Sequence, residues 1–439
     1  MKSRKLLWKR SGLNSKKSIL FVHTCVYSKN ATNELRILRC FFWLFIFSTG
    51  AVFGQFDPYQ KYLLMDKKLQ LDATKAVNAM YNFKFDVAEA EFQWMRYKYP
   101  SHPLPSFLMG LKEWWRIQPN IEDEQFDERF LSYMDTSISL AEELKRKDKQ
   151  NIEAAFFLAA SHGFKGRLYS ERSSWSKAAF AGKSALANLE LTKQNDTLSP
   201  EFLFGVALFN YYSVWIPANY RFLRPIMALF PKGDKEKGIK QLKEVAFNAF
   251  YTRTEAQLYL ARIYANEEDQ PAKAFPLCEY LAETFPDNPY FERLYARMCY
   301  SQGRTAEVEK SSLDILDKIE RKMPGYEATS GRYASFYLGY IYRHSYKKDK
   351  NNAKKYFDLC LQFCNQNKAF ETGYYYYTLL NLMQISDEEK NITLAVEYAK
   401  KIKEYAPKDH SCTKAAKEYL KKHPKEADEK KGFWGRLGF

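Results

Sequence analysis

The residues best able to do chemistry are scattered. Six histidines stand at His23, His102, His162, His344, His410 and His423. None has a second histidine one helical turn away or a carboxylate at ligand spacing, so the pattern of a zinc or copper centre is missing. Cys360 and Cys364 lie one turn apart on a helical stretch, beside Phe357 and Phe363. As thiolate ligands they would need two further donors, and none is near along the chain; the pair reads as core packing. Two acidic runs, Glu267-Glu268-Asp269 and Asp387-Glu388-Glu389, fall where turns between helices are expected and read as solvated caps rather than paired catalytic acids. There is no phosphate-cradling glycine loop, no G-x-S-x-G and no H-E-x-x-H. No catalytic, cofactor-binding or metal-binding residue is expected, and the chain reads as a binding protein rather than an enzyme.

The elements that carry these residues are helical. The chain has 439 residues, 46% hydrophobic and 27% charged, which excludes disorder throughout. It holds 32 Tyr and 33 Phe against only 18 Gly and 16 Pro, too few turn-formers for a strand-rich fold. Phe107, Leu108, Leu111, Trp114 and Trp115 recur at helical spacing. Residues 122–149 open on Glu122-Asp123-Glu124 and close on Lys145-Arg146-Lys147, the charge order that a helix dipole favours. Further pairs are expected at 151–165 with 173–191, turning at Gly163-Phe164-Lys165-Gly166, and at 198–215 with 234–250.

Internal repetition follows. Three segments place a Pro twelve residues after an Ala: Ala88 to Pro100, Ala274 to Pro286 and Ala395 to Pro407. Leu260-Ala261 with Tyr264 lies upstream of the second. Leu338-Gly339 with Tyr342 opens a fourth, which continues through Ala353 and Phe357 and has Asn365 where the others have Pro. A small residue on the first helix of a hairpin admits the second helix, an aromatic fills the wedge, and Pro ends the unit. The pattern resembles the tetratricopeptide repeat, with its L-G-x-x-Y first helix and A-x3-F…P second helix. The resemblance implies an all-α solenoid of about eight antiparallel hairpins over 57–406, closed by a Lys-rich helix at 409–422. It also implies a protein or peptide partner on the concave face formed by the first helices. Aligned to the small position of that helix, Arg262, Asn266, Tyr340, Arg343 and His344 face the partner. The Lys and Asn with which some members clamp a terminal carboxylate are replaced by Leu258 and Arg262, so such a peptide end is not the expected ligand. A run of four tyrosines, Tyr374–Tyr377, must leave at least one ring exposed on a helix.

The ends carry different signals. Residues 1–54 hold ten Lys or Arg and one acid, Glu34, which leaves the rest at +7 of the total +16. So mild an excess is not the concentrated stripe that nucleic acid requires. The cations are followed by an apolar run, Cys40 to Phe53, about 14 residues and shorter than a membrane span. A secretory signal cleaved before Gln55 is the first reading; a retained anchor over 35–54 and a mitochondrial presequence are the alternatives. A connector at 216–233 keeps Phe222, Leu223, Ile226, Met227, Leu229 and Phe230, more apolar than an ordinary loop. The tail, 423–439, is charged and ends in Phe433, Trp434 and Phe439. Export, repeats and the Lys, Tyr, Phe and Asn content together suggest a scaffold of the bacterial cell envelope, in the periplasm or at the outer membrane, with membrane contact through 35–54 or the tail. The rivals are a glycan- or peptide-binding subunit with an aromatic pocket near Trp215 or Tyr374, and a membrane-anchored organelle-surface repeat protein.

Overall fold

A computed structural model describes residues 62–428, apart from 196–197, 220, 222–223, 225–227, 229–230 and 346. The expected N-terminal signal, the six apolar residues named in the 216–233 connector and the aromatic tail therefore lie outside the described residues. Within them there is no strand, and no helix is long and apolar enough to cross a membrane.

Eight helical hairpins follow one another: α1 Lys67–Tyr81 with α2 Phe85–Lys98, α3 Pro103–Ile117 with α4 Asp127–Lys147, α5 Ile152–Glu171 with α6 Trp175–Gln194, α7 Leu203–Asn219 with α8 Lys235–Asn248, α9 Arg253–Arg262 with α10 Pro271–Thr284, α11 Pro289–Ser301 with α12 Thr305–Glu320, α13 Ala328–His344 with α14 Lys350–Gln366, and α15 Gly373–Glu388 with α16 Ile392–Tyr405. Two terminal helices, α17 Ser411–Lys422 and the short α18 Pro424–Asp428, complete the series. The all-α architecture of paired helices expected from the repeats is thus observed. It falls into two compact units, one ending at Tyr295 and the other starting at Ala296, so that the division lies within α11.

Local chemistry starts and stops these helices. Asp66, Asn151, Asp234, Asp349 and Asn391 each accept a backbone N–H of the first turn that follows. His102 and His410 do the same with a ring nitrogen, accepting from the N–H groups of Leu104 and Cys412. Four hairpin turns share one stop. A residue with positive φ (Phe83, Ser173, Gly303, Lys390) is followed by one whose N–H returns to a carbonyl five residues back, as from Lys84 to Ala79 and Asn391 to Ser386.

The second helix of most hairpins has a small residue at its fourth position, buried against the first helix. Ala88, Ala178, Ala274, Ala353 and Ala395 occupy it, with Gly238 in the fourth hairpin and Val308 in the sixth. The approach is closest at the glycines. A Cβ on Gly238 would lie 2.6 Å from the Tyr211 nitrogen and 2.8 Å from the Ala207 carbonyl oxygen. Gly339 plays the reciprocal part on α13, where a Cβ would meet the Phe357 ring at 2.6 Å. The small residue at 339 admits the second helix as the repeat pattern expects, and Phe357 fills that space within its own hairpin.

Two expected boundaries moved. The turn expected at Gly163–Gly166 is helix, and α5 runs on to Glu171. Phe164 there packs on Trp114 and Phe107, with ring centroids 5.7 and 6.0 Å apart, and this tertiary packing outweighs the helix cost of two glycines. The helix expected from 122 begins at Asp127, because Arg172 holds the preceding turn through the Ile121 and Asp123 carbonyls and pairs with Asp127 itself.

In the unit ending at Tyr295, the first helices fill the space between them with their own side chains. Trp115 is fully buried, with Tyr81 5.2 Å and Phe291 5.0 Å from its ring. Asn288 donates to the Tyr81 carbonyl at 2.7 Å, the Asp287 N–H to Asn82 at 2.8 Å, and Arg293 to the Pro119 carbonyl at 3.1 Å. These bonds join residues about two hundred positions apart, so the fifth hairpin and the start of α11 close back on the first two.

Candidate partner-binding face

In the unit that begins at Ala296, the first helices form an aromatic stripe of a different kind. Tyr333, Tyr337, Tyr340 and His344 follow one another at helical spacing along α13. Tyr337 is buried, Tyr333 and Tyr340 are half-buried, and His344 is exposed. Tyr300 of α11 stacks on Tyr337 at 4.6 Å and meets Tyr340 edge-on at 5.5 Å. The Tyr337 and Tyr374 hydroxyls are 2.9 Å apart, and Tyr333 lies against Tyr374 at 4.3 Å. Of the four consecutive tyrosines, Tyr374, Tyr375 and Tyr376 are buried and Tyr377 keeps exposure beside His410, as helical geometry demands. Tyr374 is only 1% exposed and offers a glycan no stacking surface.

Polar groups edge the stripe. His344 places Nε2 2.8 Å from the Asn381 side-chain oxygen, while the Asn381 amide donates to the Tyr377 carbonyl at 2.8 Å. The His344 ring packs on Tyr340 at 4.6 Å. Arg343 grips both oxygens of Glu388, and Lys350 approaches the same carboxylate at 3.0 Å. The bidentate Arg343 guanidinium, helped by Lys350, holds Glu388 down at about 2. Burial drives the Tyr300 and Tyr374 phenols well above their ordinary range, so both are neutral hydroxyls. What the face leaves uncovered is the edges of Tyr333, Tyr340 and Tyr377 and the His344 imidazole, held from below by buried Tyr337, Tyr374 and Asn381; rings with polar tips are the mixture that anchors a polypeptide.

Tyr340, Arg343 and His344, three of the residues expected to meet a partner, are therefore together on the last turns of α13. Arg262 and Asn266 belong to the other unit and have a different setting. The helix there widens into a π-turn over Ile263–Glu267. Arg262 is half-buried over the Tyr259 ring at 5.8 Å and within the electrostatic reach of Glu255 and Glu267. Glu255 accepts from the Trp115 indole at 3.0 Å, and Arg167 donates to the Tyr259 hydroxyl at 2.7 Å. Burial raises Glu255 and Glu267 to about 7 each, against the opposing pull of Arg167 and Arg262 on the first and of Arg262 on the second.

The acidic run at Glu267–Asp269 departs from the expected solvated cap. Tyr212 donates to the buried Glu267 carboxyl at 3.0 Å, and Tyr211 and Lys235 bind Glu268. Both carboxyls are turned toward α7 and the start of α8, which residue types alone do not disclose. Asp387–Glu389 is exposed, as expected. Cys360 and Cys364 are buried free thiols, Cys360 accepting from Thr378 at 3.3 Å. Among the described residues no three His, Cys, Asp or Glu side chains gather so as to hold a metal ion.

Sequence reasoning passed over Tyr300, Tyr333, Tyr337 and Asn381. The first three carried a usable signal: α13 repeats an aromatic at one-turn spacing, and α11 ends on one.

No family model matches the chain, and no curated protein matches it. Among solved structures it is similar to the crystal structure of yeast Tom70, at 12% identity, a TM-score of 0.36, and coverage of 96% of this chain and 77% of that one. So low a score speaks for no shared role. The hairpins themselves, with small residues seated at the expected contacts, give the chain its tetratricopeptide-like architecture.

Proposed function

We propose that this chain is a protein-interaction scaffold with no catalytic role, binding a protein or peptide along the stripe of α13 and α15. Tyr340, Arg343 and His344 form the contact edge, with Tyr333 and Tyr377 beside them. The observation that carries this reading is a difference in exposure. Both units leave some rings half-buried on their first helices, but only on α13 do Tyr333, Tyr340 and His344 keep exposure in one row at helical spacing, with Tyr377 of α15 half-buried on the next first helix. Arg262 and Asn266 belong to the proposal as secondary contacts at the edge of their own unit. We place the protein in the bacterial cell envelope, exported by residues 1–54, either cleaved before Gln55 or held by 35–54.

A photoreactive amino acid at Tyr340 in the full chain, expressed in its own cells, tests the face, with the same group at exposed Phe180 as reference. A discrete adduct from position 340 and none from 180 is expected. Tyr340→Ala with His344→Ala should weaken capture of that adduct partner about tenfold, since paired aromatic contacts at an interface contribute roughly 1–2 kcal/mol, and should lower the melting temperature by no more than about 5 °C. Identical adducts from both positions, or capture that survives the double substitution, would overturn the proposal. The N-terminal peptide of the cellular protein tests export: a start at Gln55 supports a cleaved signal, retention of 35–54 in the membrane fraction an anchor, and an intact soluble chain neither.

A further inference from the structure

We propose that the outer face of the first hairpin rests on an anionic lipid surface. Among the described residues eight large apolar side chains stand exposed, and four belong to this one hairpin: Leu71 at 75%, Val87 at 38%, Trp94 at 46% and Tyr97 at 87%. On α2 the buried stripe is Phe85, Ala88, Phe92 and Met95. Val87, Trp94 and Tyr97 occupy the opposite side of the same helix, so the rings point away from the rest of the unit.

The chemistry of the patch selects the occupant. The Lys98 ammonium sits 4.8 Å above the Trp94 ring. Lys67, Lys68 and Lys75 are exposed one turn to either side of Leu71, and Arg96 is exposed beside Tyr97; with Lys98 these cations outnumber the exposed acids of the hairpin, Asp72 and Asp86. Trp and Tyr interleaved with Lys and Arg make the composition of a membrane–water interface, where the rings lie at headgroup level and the cations meet lipid phosphates. The core of a protein interface, by contrast, is depleted in Lys.

The chain also brings this hairpin to such a surface. Eight residues separate Phe53, the end of the apolar run, from Tyr62, and at about 3.5 Å each they span at most about 28 Å. Tyr62 and Leu64 are buried, and the Leu64 N–H is held by the Glu153 carboxylate, so the start of the fold is fixed. With residues 35–54 held in a bilayer, the first hairpin has nowhere to be but near its surface. The proposal rests on the anchored form of the export reading; it does not involve the α13 face.

The test uses the full chain in vesicles of phosphatidylcholine alone and of phosphatidylcholine with phosphatidylglycerol, with Trp94→Phe as the difference partner. The fluorescence lost on substitution is that of Trp94. In vesicles containing phosphatidylglycerol it should be blue-shifted and quenched at least twofold by lipids brominated near the headgroup, and high salt should reverse much of this. Leu71→Ser with Tyr97→Ser should weaken the quenching severalfold at unchanged helix content. Trp94 emission that stays water-like in both vesicles overturns the proposal. A blue shift that needs no vesicles and grows with protein concentration also overturns it, in favour of a second copy. A cellular chain that begins at Gln55 removes the tether and the proposal with it, while leaving export and the α13 face standing.

Discussion

The two units build the same hairpins and set different side chains on their first helices. Up to Tyr295 these helices enclose Trp115, Glu255, Tyr259 and Phe291, and the ends of that run are stitched by Asn288 and Asp287 to Tyr81 and Asn82. From Ala296 onward the equivalent helices keep Tyr333, Tyr340 and Tyr377 half-buried and His344 exposed. A repeat's concave side is a surface for others only where the chain does not occupy it. Alignment to a repeat motif assigns Arg262 and Arg343 the same status, yet Arg262 sits over Tyr259 between two buried carboxyls and Arg343 grips an exposed one.

The sharpest way to break the comparison is Trp115→Ala. It removes a fully buried indole and leaves the Glu255 carboxyl without its N–H donor, which should cost the first unit about 4 kcal/mol. Tyr340→Ala, on a half-buried ring, should cost less than about 1 kcal/mol of stability while weakening the partner. Peptide-resolved hydrogen exchange reads the two units separately. Equal losses in both would mean that the interior around Trp115 is not the packed core described here.

Titration should separate the units next, with opposite signs. Glu255 and Glu267 have folded values raised to about 7 by burial, above the ordinary carboxylate range. The folded form therefore holds their protons more tightly, and their contribution to stability is present in acid and lost as pH rises from about 4.5 through 7. The limit is on the order of 3 kcal/mol per group. Glu388, held at about 2, contributes above about 4.5 and loses that contribution as pH falls toward 2. Its exposure keeps the effect below about 1 kcal/mol. Glu255→Gln should flatten the neutral-pH decline in the first unit alone; an unchanged slope would mean that Glu255 is already ionised in the fold.

Much of the fold was legible because it is written in size. Ala88, Ala274, Ala353 and Ala395 announce hairpin contacts on their own, and Gly339 marks a close approach whose partner, Phe357, only the packing reveals. Ala178, Gly238 and Val308 hold the same position in three further hairpins but lack the Pro twelve residues on, so the repeat in them is visible only from the packing. The turn misread at Gly163 shows the limit. Glycine states what the backbone is free to do, and Phe164 against Trp114 decides what it does. The site was half legible. Tyr340, Arg343 and His344 follow from register, but nothing in residue types says that Glu267 turns inward or that the space around Glu255 is filled. Those facts depend on contacts between distant positions, Tyr212 with Glu267 at 55 residues and Trp115 with Glu255 at 140.

The glycines give the last and finest test. Gly238→Ala would drive a methyl onto the Tyr211 nitrogen and the Ala207 carbonyl oxygen, backbone atoms of α7 that cannot yield without parting the two helices. In Gly339→Ala the nearest atoms belong to the Phe357 ring, a side chain that yields more readily than backbone. Overpacking costs roughly 1–3 kcal/mol, offset in part by the better helix propensity of Ala, about 1 kcal/mol. The net loss should therefore be near 2 kcal/mol at Gly238 and below about 1 kcal/mol at Gly339. Unfolding midpoints of the two variants read this order directly, and a larger loss at Gly339 would mean that Phe357 is locked from its far side. In that event the aromatic wedge, rather than backbone proximity, sets the hairpin spacing, and Phe357→Leu should restore Gly339→Ala while leaving Gly238→Ala uncorrected.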